Sequence, residues 1–229
     1  MKDTKQKVGA IIAAAGESQR MGGVDKVMVP LGGEPILARV IETFQKCHLI
    51  DQIVVVVNAK NIEKCRQMVA GEGWNKVTDV CAGGRRRQDS VAAGLKYLQN
   101  CDWVVVHDGA RPLVTVDLIE GGLEAAKETG AAVAAVPVTD TIKVVGDDEI
   151  VLGTPPRQNL RTVQTPQVFR MGIITKAYQQ ANSDVTDDAS LVEKAGYKVK
   201  LYLGSYDNIK ITTPDDLALA EVLLRKYGK

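Results

Sequence analysis

The stretch Val8-Gly-Ala-Ile-Ile-Ala-Ala-Ala-Gly-Glu-Ser-Gln-Arg-Met-Gly-Gly-Val-Asp-Lys26 begins as a strand and ends as a different kind of chain. Val8 to Ala13 is apolar on both faces, the pattern of a parallel strand covered by helices on each side. Beyond it the residues shrink to Ala14, Ala15 and Gly16, then Gly22 and Gly23, with Arg20 and Lys26 as the cations of the loop. Where a strand runs out, small residues let an anion approach unpaired backbone N–H groups. The loop therefore predicts an anion site. A plain glycine turn is the weaker reading, because two cations stand beside three glycines.

The loop fits none of three familiar patterns. A P-loop would need Gly-Lys-Ser/Thr, but Asp25 precedes Lys26 and Val27 follows it. The dinucleotide fingerprint Gly-x-Gly-x-x-Gly is absent, which disfavours a nicotinamide dehydrogenase. The nucleophile elbow comes nearest, with Gly16-Glu-Ser18-Gln-Arg20 failing in its last glycine. A serine hydrolase would also need a well-placed histidine, and His48 is expected at the end of a helix.

Working outward, β-branched runs alternate with helical periods. Gln52 to Asn58, Val77 to Cys81, Trp103 to His107 and Ala131 to Val136 read as further strands. From Pro35 to Cys47, the residues Ile36, Leu37, Val40, Ile41 and Phe44 form one stripe opposite Arg39, Glu42 and Lys46. Repeated β-α-β units predict an α/β fold, a doubly wound and mostly parallel sheet with right-handed crossovers. The rhythm breaks after Pro137. Ile142 to Val145 and Ile150 to Leu152, around Gly146-Asp-Asp, read as a hairpin with too little apolar surface to bury itself. This arm, residues 139–157, is expected to lie on a second subunit. Helices follow near Met171 to Gln180 and Asp187 to Lys194, then a strand at Lys198 to Leu203. A last helix opens at Thr213-Pro-Asp-Asp216, with threonine as cap and the acids at the positive helix end.

The 229 residues fit a single domain, and 45% apolar with 25% charged residues suffice for a full core. A formal net charge of +1 supplies no general field for nucleic acid or an anionic membrane. Cys47, Cys65, Cys81 and Cys101 form no Cys-x-x-Cys pair, and with two histidines in the chain a structural zinc site is not expected. Separated cysteines read as buried thiols of a reducing compartment. The leading MKDTKQK meets a short apolar strand, not a signal h-region or a membrane span. The expected location is the cytoplasm.

Taken in order, six motifs carry a resemblance. Ala-Ala-Gly-x-x-x-Arg-Met with Lys26 resembles the signature loop of sugar-phosphate nucleotidyltransferases. Val-His107-Asp108-Gly-Ala-Arg111-Pro112, Asp140-Thr141-Ile-Lys143, Gln164-Thr165-Pro166-Gln167, Thr186-Asp187-Asp188-Ala-Ser190 and Asp207-Asn-Ile-Lys210 narrow it. Together they resemble the 2-C-methyl-D-erythritol 4-phosphate cytidylyltransferase family over nearly the whole chain. The resemblance implies attack of a sugar-alcohol phosphate on the α-phosphorus of CTP, with loss of pyrophosphate and help from Mg2+ or another divalent cation. It makes Arg20, Lys26 and Lys210 the catalytic cations, with solvated surface charges as the bland alternative. It gives Ala14, Ala15, Gly16, Gly83, Gly84, Ser90 and Asp108 to the nucleotide, with Asp108 near the ribose and the metal. Arg111, Thr141, Arg157, Thr165 and Thr186 would hold the methylerythritol phosphate. An internal salt bridge is the alternative for Arg111, and a helix cap is the alternative for Thr186. Thr141 and Arg157 lie on the arm, so each site would be shared across a homodimer. Arg86 departs from the acidic residue many members carry. Arg87 fits the family's arginine, with a solvated face as its alternative. A ribitol 5-phosphate cytidylyltransferase and a catalytically silent CTP-binding regulator stand as the other readings.

Overall fold

The computed structural model describes residues 6–16, 25–181 and 183–226. In chain order the elements are β1 (Val8–Ala14), β2 (Pro30–Leu31), β3 (Glu34–Pro35), α1 (Ile36–Lys46), β4 (Gln52–Val57), α2 (Ile62–Glu72), β5 (Val77–Ala82), α3 (Arg87–Leu95) and β6 (Trp103–Asp108). The second half contributes α4 (Val116–Thr129), β7 (Ala131–Pro137), β8 (Val144–Val145), β9 (Val151–Gly153), β10 (Arg161–Arg170), α5 (Met171–Gln179), α6 (Asp188–Lys194), β11 (Lys200–Leu203) and α7 (Pro214–Lys226). Seven strands form one sheet in the order β11-β7-β10-β6-β1-β4-β5. The doubly wound expectation holds.

Apolar residues on both faces of the strands explain the layers. Ile12, Val55 and Val105 pack with Leu37, Ile41 and Phe44 of α1 and with Ile119 of α4. On the other face Ile11, Val54, Val104 and Val106 meet Val91 of α3, Ile174 of α5 and Leu191 of α6. A smaller cluster, Leu31, Ile36, Ile211, Ala220 and Leu224, ties α7 to the β2–β3 turn. The order of strands reverses at β1, which pairs in parallel with β4 on one side and β6 on the other. Open α/β sheets bind ligands at such a reversal, outside the carboxyl ends of the strands. Ala13 and Asp108 stand opposite each other there.

One strand departs from the sequence expectation. β10 runs antiparallel between β6 and β7, and its ladder with β7 slips between Val163 and Gln167. Pro166 sits in that irregularity, after a cis peptide, where a missing N–H removes no ladder bond. The hairpin is also shorter than expected. Val144 pairs with Gly153 and Val145 with Val151, and a register shift between the two pairs breaks the longer ladder. Ile142, Val144, Val145, Ile150, Val151 and Leu152 are exposed, Leu152 to 69%. The strand expected from Lys198 begins at Lys200. Cys47, Cys65 and Cys81 are free and buried, whereas Cys101 is half-exposed. Among the described residues no helix is long and apolar enough to cross a membrane.

Candidate active site

Two cavities open at the carboxyl edge of the sheet. The smaller, about 120 Å³, lies against Ala14, Ala15, Gly16, Lys26, Gly84 and Ser90. The larger, about 440 Å³, is lined by Arg111, Gln164, Thr165, Gln167 and Thr186, with α6 beside them. Arg87, Asp108 and Lys210 line both. These three side chains are the common wall.

The floor of the smaller cavity is set by close approach. A Cβ on Gly83 would stand 2.2 Å from the Ala15 Cβ and 2.6 Å from the Ser90 Oγ, so only glycine fits between them. The Gly83 N–H is spent on the Val57 carbonyl at 2.9 Å, and it is Gly84 that lines the cavity. The buried Ser90 hydroxyl donates to the Arg86 carbonyl at 3.2 Å. Lys26 opens a short 3-10 turn, Lys26–Met28, and faces this cavity. Arg20 lies outside the described residues.

The wall is a chain of buried charges. Arg87 Nε donates to Asp108 Oδ1 at 2.9 Å and Arg87 Nη1 to Asp188 Oδ2 at 2.8 Å. Lys210 Nζ stands 2.7 Å from Asp108 Oδ2, and Arg111 Nε stands 3.8 Å from the same oxygen. Tyr178 donates its hydroxyl to Asp188 Oδ1 at 2.5 Å. Burial alone would raise the Asp108 pKa, but Arg87 and Lys210 outweigh it and hold the carboxyl well below the usual carboxylate range. Burial likewise works against the Arg87 charge, and Asp188 and Asp108 overcome it. Burial lowers Arg111, with Asp108 opposing. Lys26, Arg85, Arg86, Arg87 and Lys210 line the smaller cavity against Asp108, which makes it strongly positive, whereas Asp187 and Glu193 join Asp108 in balancing Arg87, Arg111 and Lys210 at the larger one. Two buried donors, Arg87 Nη2 and Arg111 Nε, have no hydrogen-bond partner. An anionic ligand is the electrostatic complement.

The Thr165 hydroxyl lies 3.0 Å from the Asp108 backbone nitrogen and 3.0 Å from His107 Nδ1. His107 is fully buried, its Nε2 3.1 Å from the Arg111 carbonyl. Burial pulls its pKa down to about 4, against the opposing effect of that carbonyl. Thr186 lines the larger cavity and is not the cap of α6. Asp187 fills that role, its Oδ1 accepting from Ser190 N at 3.1 Å. Arg111 does take part in the salt bridge weighed for it, and its Nη1 also donates to the Asn208 carbonyl at 2.7 Å. Thr141 and Arg157 are exposed and line neither cavity of the chain that carries them. Arg157 Nη1 donates to the Thr139 carbonyl at 3.0 Å.

The sequence model of the 2-C-methyl-D-erythritol 4-phosphate cytidylyltransferase family matches residues 8–226. The chain belongs to this family. A member from Dehalococcoides mccartyi is 52% identical over 96% of this chain and 97% of its own length. Another from Alkaliphilus oremlandii is 46% identical over 96% of this chain and 95% of its own. Among solved structures, 4-diphosphocytidyl-2C-methyl-D-erythritol synthase from Anaerococcus prevotii superposes with a TM-score of 0.87 at 30% identity, covering 97% of this chain and all of that one. The Thermus thermophilus cytidylyltransferase gives 0.77 at 34% identity, over 96% of this chain and all of its own.

Within this cytidylyltransferase three residues carry more than their sequence context suggests. Arg87 is no solvated face. It opens α3 three residues before the buried Ser90, so it shares the inward side of that helix. That helical period was the available signal. Asp188 and His107 stand in motifs that assign them no role. Arg86, the departure from the family pattern, stands just before α3 and pairs with Asp89 of that helix and with Asp184 ahead of α6.

Proposed function

We propose that the protein transfers CMP from CTP to 2-C-methyl-D-erythritol 4-phosphate in isoprenoid precursor synthesis. The observation that carries the reading is the pair of cavities sharing the Arg87–Asp108–Lys210 wall, which gives two phosphorylated reactants adjoining berths. A phosphate oxygen of the sugar alcohol attacks the α-phosphorus, the bond from that phosphorus to the β-bridging oxygen breaks, and pyrophosphate leaves. The monoester is already ionised near neutral pH, its second pKa being about 6, so no base is needed. The obstacle is repulsion between anions. Two unit charges ~4 Å apart interact by about 4 kcal/mol at an effective dielectric near 20. Lys26, Lys210 and Arg20 offset that repulsion and the charge that grows on the transferring centre.

Magnesium fits as a passenger of the triphosphate. Among the described residues no group of three or more His, Cys, Asp or Glu side chains could hold a metal by itself, and Asp108 is the carboxylate that lines both cavities. Magnesium is commonly held by one or two carboxylates together with substrate phosphates. When bound it would neutralise phosphate charge; Asp108 would supply the protein's oxygen and Lys210 the neighbouring cation.

The exposed apolar side chains of the β8–β9 hairpin support a homodimer, in which Thr141 and Arg157 would serve the larger cavity of the partner. Unpaired thiols support a cytoplasmic location. The deciding experiment follows pyrophosphate release with methylerythritol phosphate against each of the four nucleoside triphosphates, and with ribitol 5-phosphate beside it. Turnover confined to CTP and methylerythritol phosphate is expected. Preference for ribitol 5-phosphate would overturn the substrate, and CTP binding without turnover would overturn the reaction.

A further inference from the structure

We propose that His107 is a positioning residue that accepts the Thr165 hydroxyl's hydrogen bond, so that Thr165 serves the sugar-phosphate cavity as an anchor of the Asp108–Arg111 turn and not as a donor to phosphate. The inference deepens the function above and rests on it for its kinetic half.

A carbonyl oxygen only accepts, so the 3.1 Å contact between His107 Nε2 and the Arg111 carbonyl requires the proton on Nε2. The ring is fully buried and its partners are a carbonyl and a hydroxyl, with no carboxylate among them to hold a charge, so it is neutral, and Nδ1 is bare and must accept. Its neighbour at 3.0 Å is the Thr165 hydroxyl, whose single proton therefore points at the imidazole. That oxygen also accepts the Asp108 N–H at 3.0 Å. Both contacts are buried, and Phe44 closes the ring in at 5.3 Å between centroids. Thr165 has no proton left to offer. A ligand group meeting its oxygen must itself donate, which a phosphate dianion cannot and a polyol hydroxyl can. Phosphate oxygens fall instead to the cations of the wall. One imidazole thus fixes two ends of a four-residue turn: Asp108 through Thr165, and Arg111 through its carbonyl. Arg111 and Thr165 line only the larger cavity, so the effect is directed at one substrate.

The first test is nitrogen-15 spectroscopy of the wild-type protein at pH 7.5, simplified by a chain with two histidines, of which His48 is exposed. The Nε2–H tautomer of His107 is expected. An Nδ1–H ring or an imidazolium would overturn the proposal whatever the enzyme's substrate. The second test is kinetic. His107→Gln keeps a donor near the Nε2 position and loses the acceptor for Thr165. It should raise KM for methylerythritol phosphate on the order of tenfold while KM for CTP moves less than about threefold. Thr165→Val should match it, the double variant should be no worse than either single one, and Thr165→Ser should restore wild-type values. If His107→Gln leaves the sugar-phosphate KM unchanged or lowers it, the freed hydroxyl was a phosphate donor all along and the proposal falls. Absence of wild-type turnover with methylerythritol phosphate would instead sink the function, with the tautomer measurement still deciding the role of His107.

Discussion

Arg87 and Lys26 stand at one cavity and do different work. Arg87 is locked between two buried carboxylates, so its loss would leave Asp188 buried without its cation, at a cost of about 3–5 kcal/mol, while Asp108 would keep Lys210. Lys26 is half-buried in a short turn that lines the smaller cavity, and in the proposed reaction its part is charge directed at the triphosphate. Lys26→Ala should therefore cut kcat on the order of 10²–10³-fold with little change in the urea midpoint, the scale of losing one preorganised charge stabiliser. Turnover within a few-fold of wild type would remove Lys26 from the reaction. Legibility followed the same division. Gly16, Lys26, Asp108 and Lys210 could be placed at the cavity from sequence because they stand in motifs that resemble the family's. Arg87, Asp188 and His107 were not, because each takes its meaning from partners far away in the chain, such as Arg87 from Asp188.

At the scale of elements, the parallel strands announced themselves through unbroken β-branched runs, and β10 did not. Its centre, Gln164-Thr165-Pro166-Gln167, is polar, a composition that argues against a buried strand. Tertiary contacts overcome that local preference. Asn208 Nδ2 donates to the Thr165 carbonyl at 2.8 Å and Gln164 Nε2 to the Ser205 carbonyl at 2.8 Å, so the polar groups are satisfied inside. The start of α7 was legible, because capping is local. Thr213 Oγ1 accepts from Asp216 N at 3.3 Å, and Asp216 Oδ2 accepts from Thr213 N at 2.8 Å. Burial would raise the Asp216 pKa, but the Thr212 and Thr213 bonds outweigh it and bring it to about 2. An unfolded aspartate titrates at about 3.9, so this contribution is whole above that pH and is lost as pH falls through about 2. Asp216→Ala should cost roughly 1 kcal/mol at pH 7, and the difference from wild type should shrink on acidification. Thermal melts between pH 7 and pH 2 read it directly. A gap that is constant across that range would show that the carboxylate is not the source.

For the molecule as a whole, the hairpin is the place where the chain is least self-sufficient. Two very short strands and the residues beside them carry six exposed apolar side chains, four of them on the strands, which a soluble monomer seldom displays together. Leu152→Asp puts a charge into that patch. The expected outcome in sedimentation is a shift from dimer toward monomer, with the melting temperature of the main sheet nearly unchanged. A wild-type protein that already sediments as a monomer at micromolar concentration would end the shared-site account of Thr141 and Arg157.

The late insertion of β10 has a consequence for how the protein is made. When residue 138 leaves the ribosome, β6 has β1 on one flank and nothing on the other, and β7 lacks the neighbour that will join it to the sheet. Until the next thirty or so residues emerge, two hydrophobic strand edges are open to any passing chain. Strands β1, β4, β5 and β6 can pair early. Both cavities wait for Lys210, which closes their common wall only near the end of synthesis.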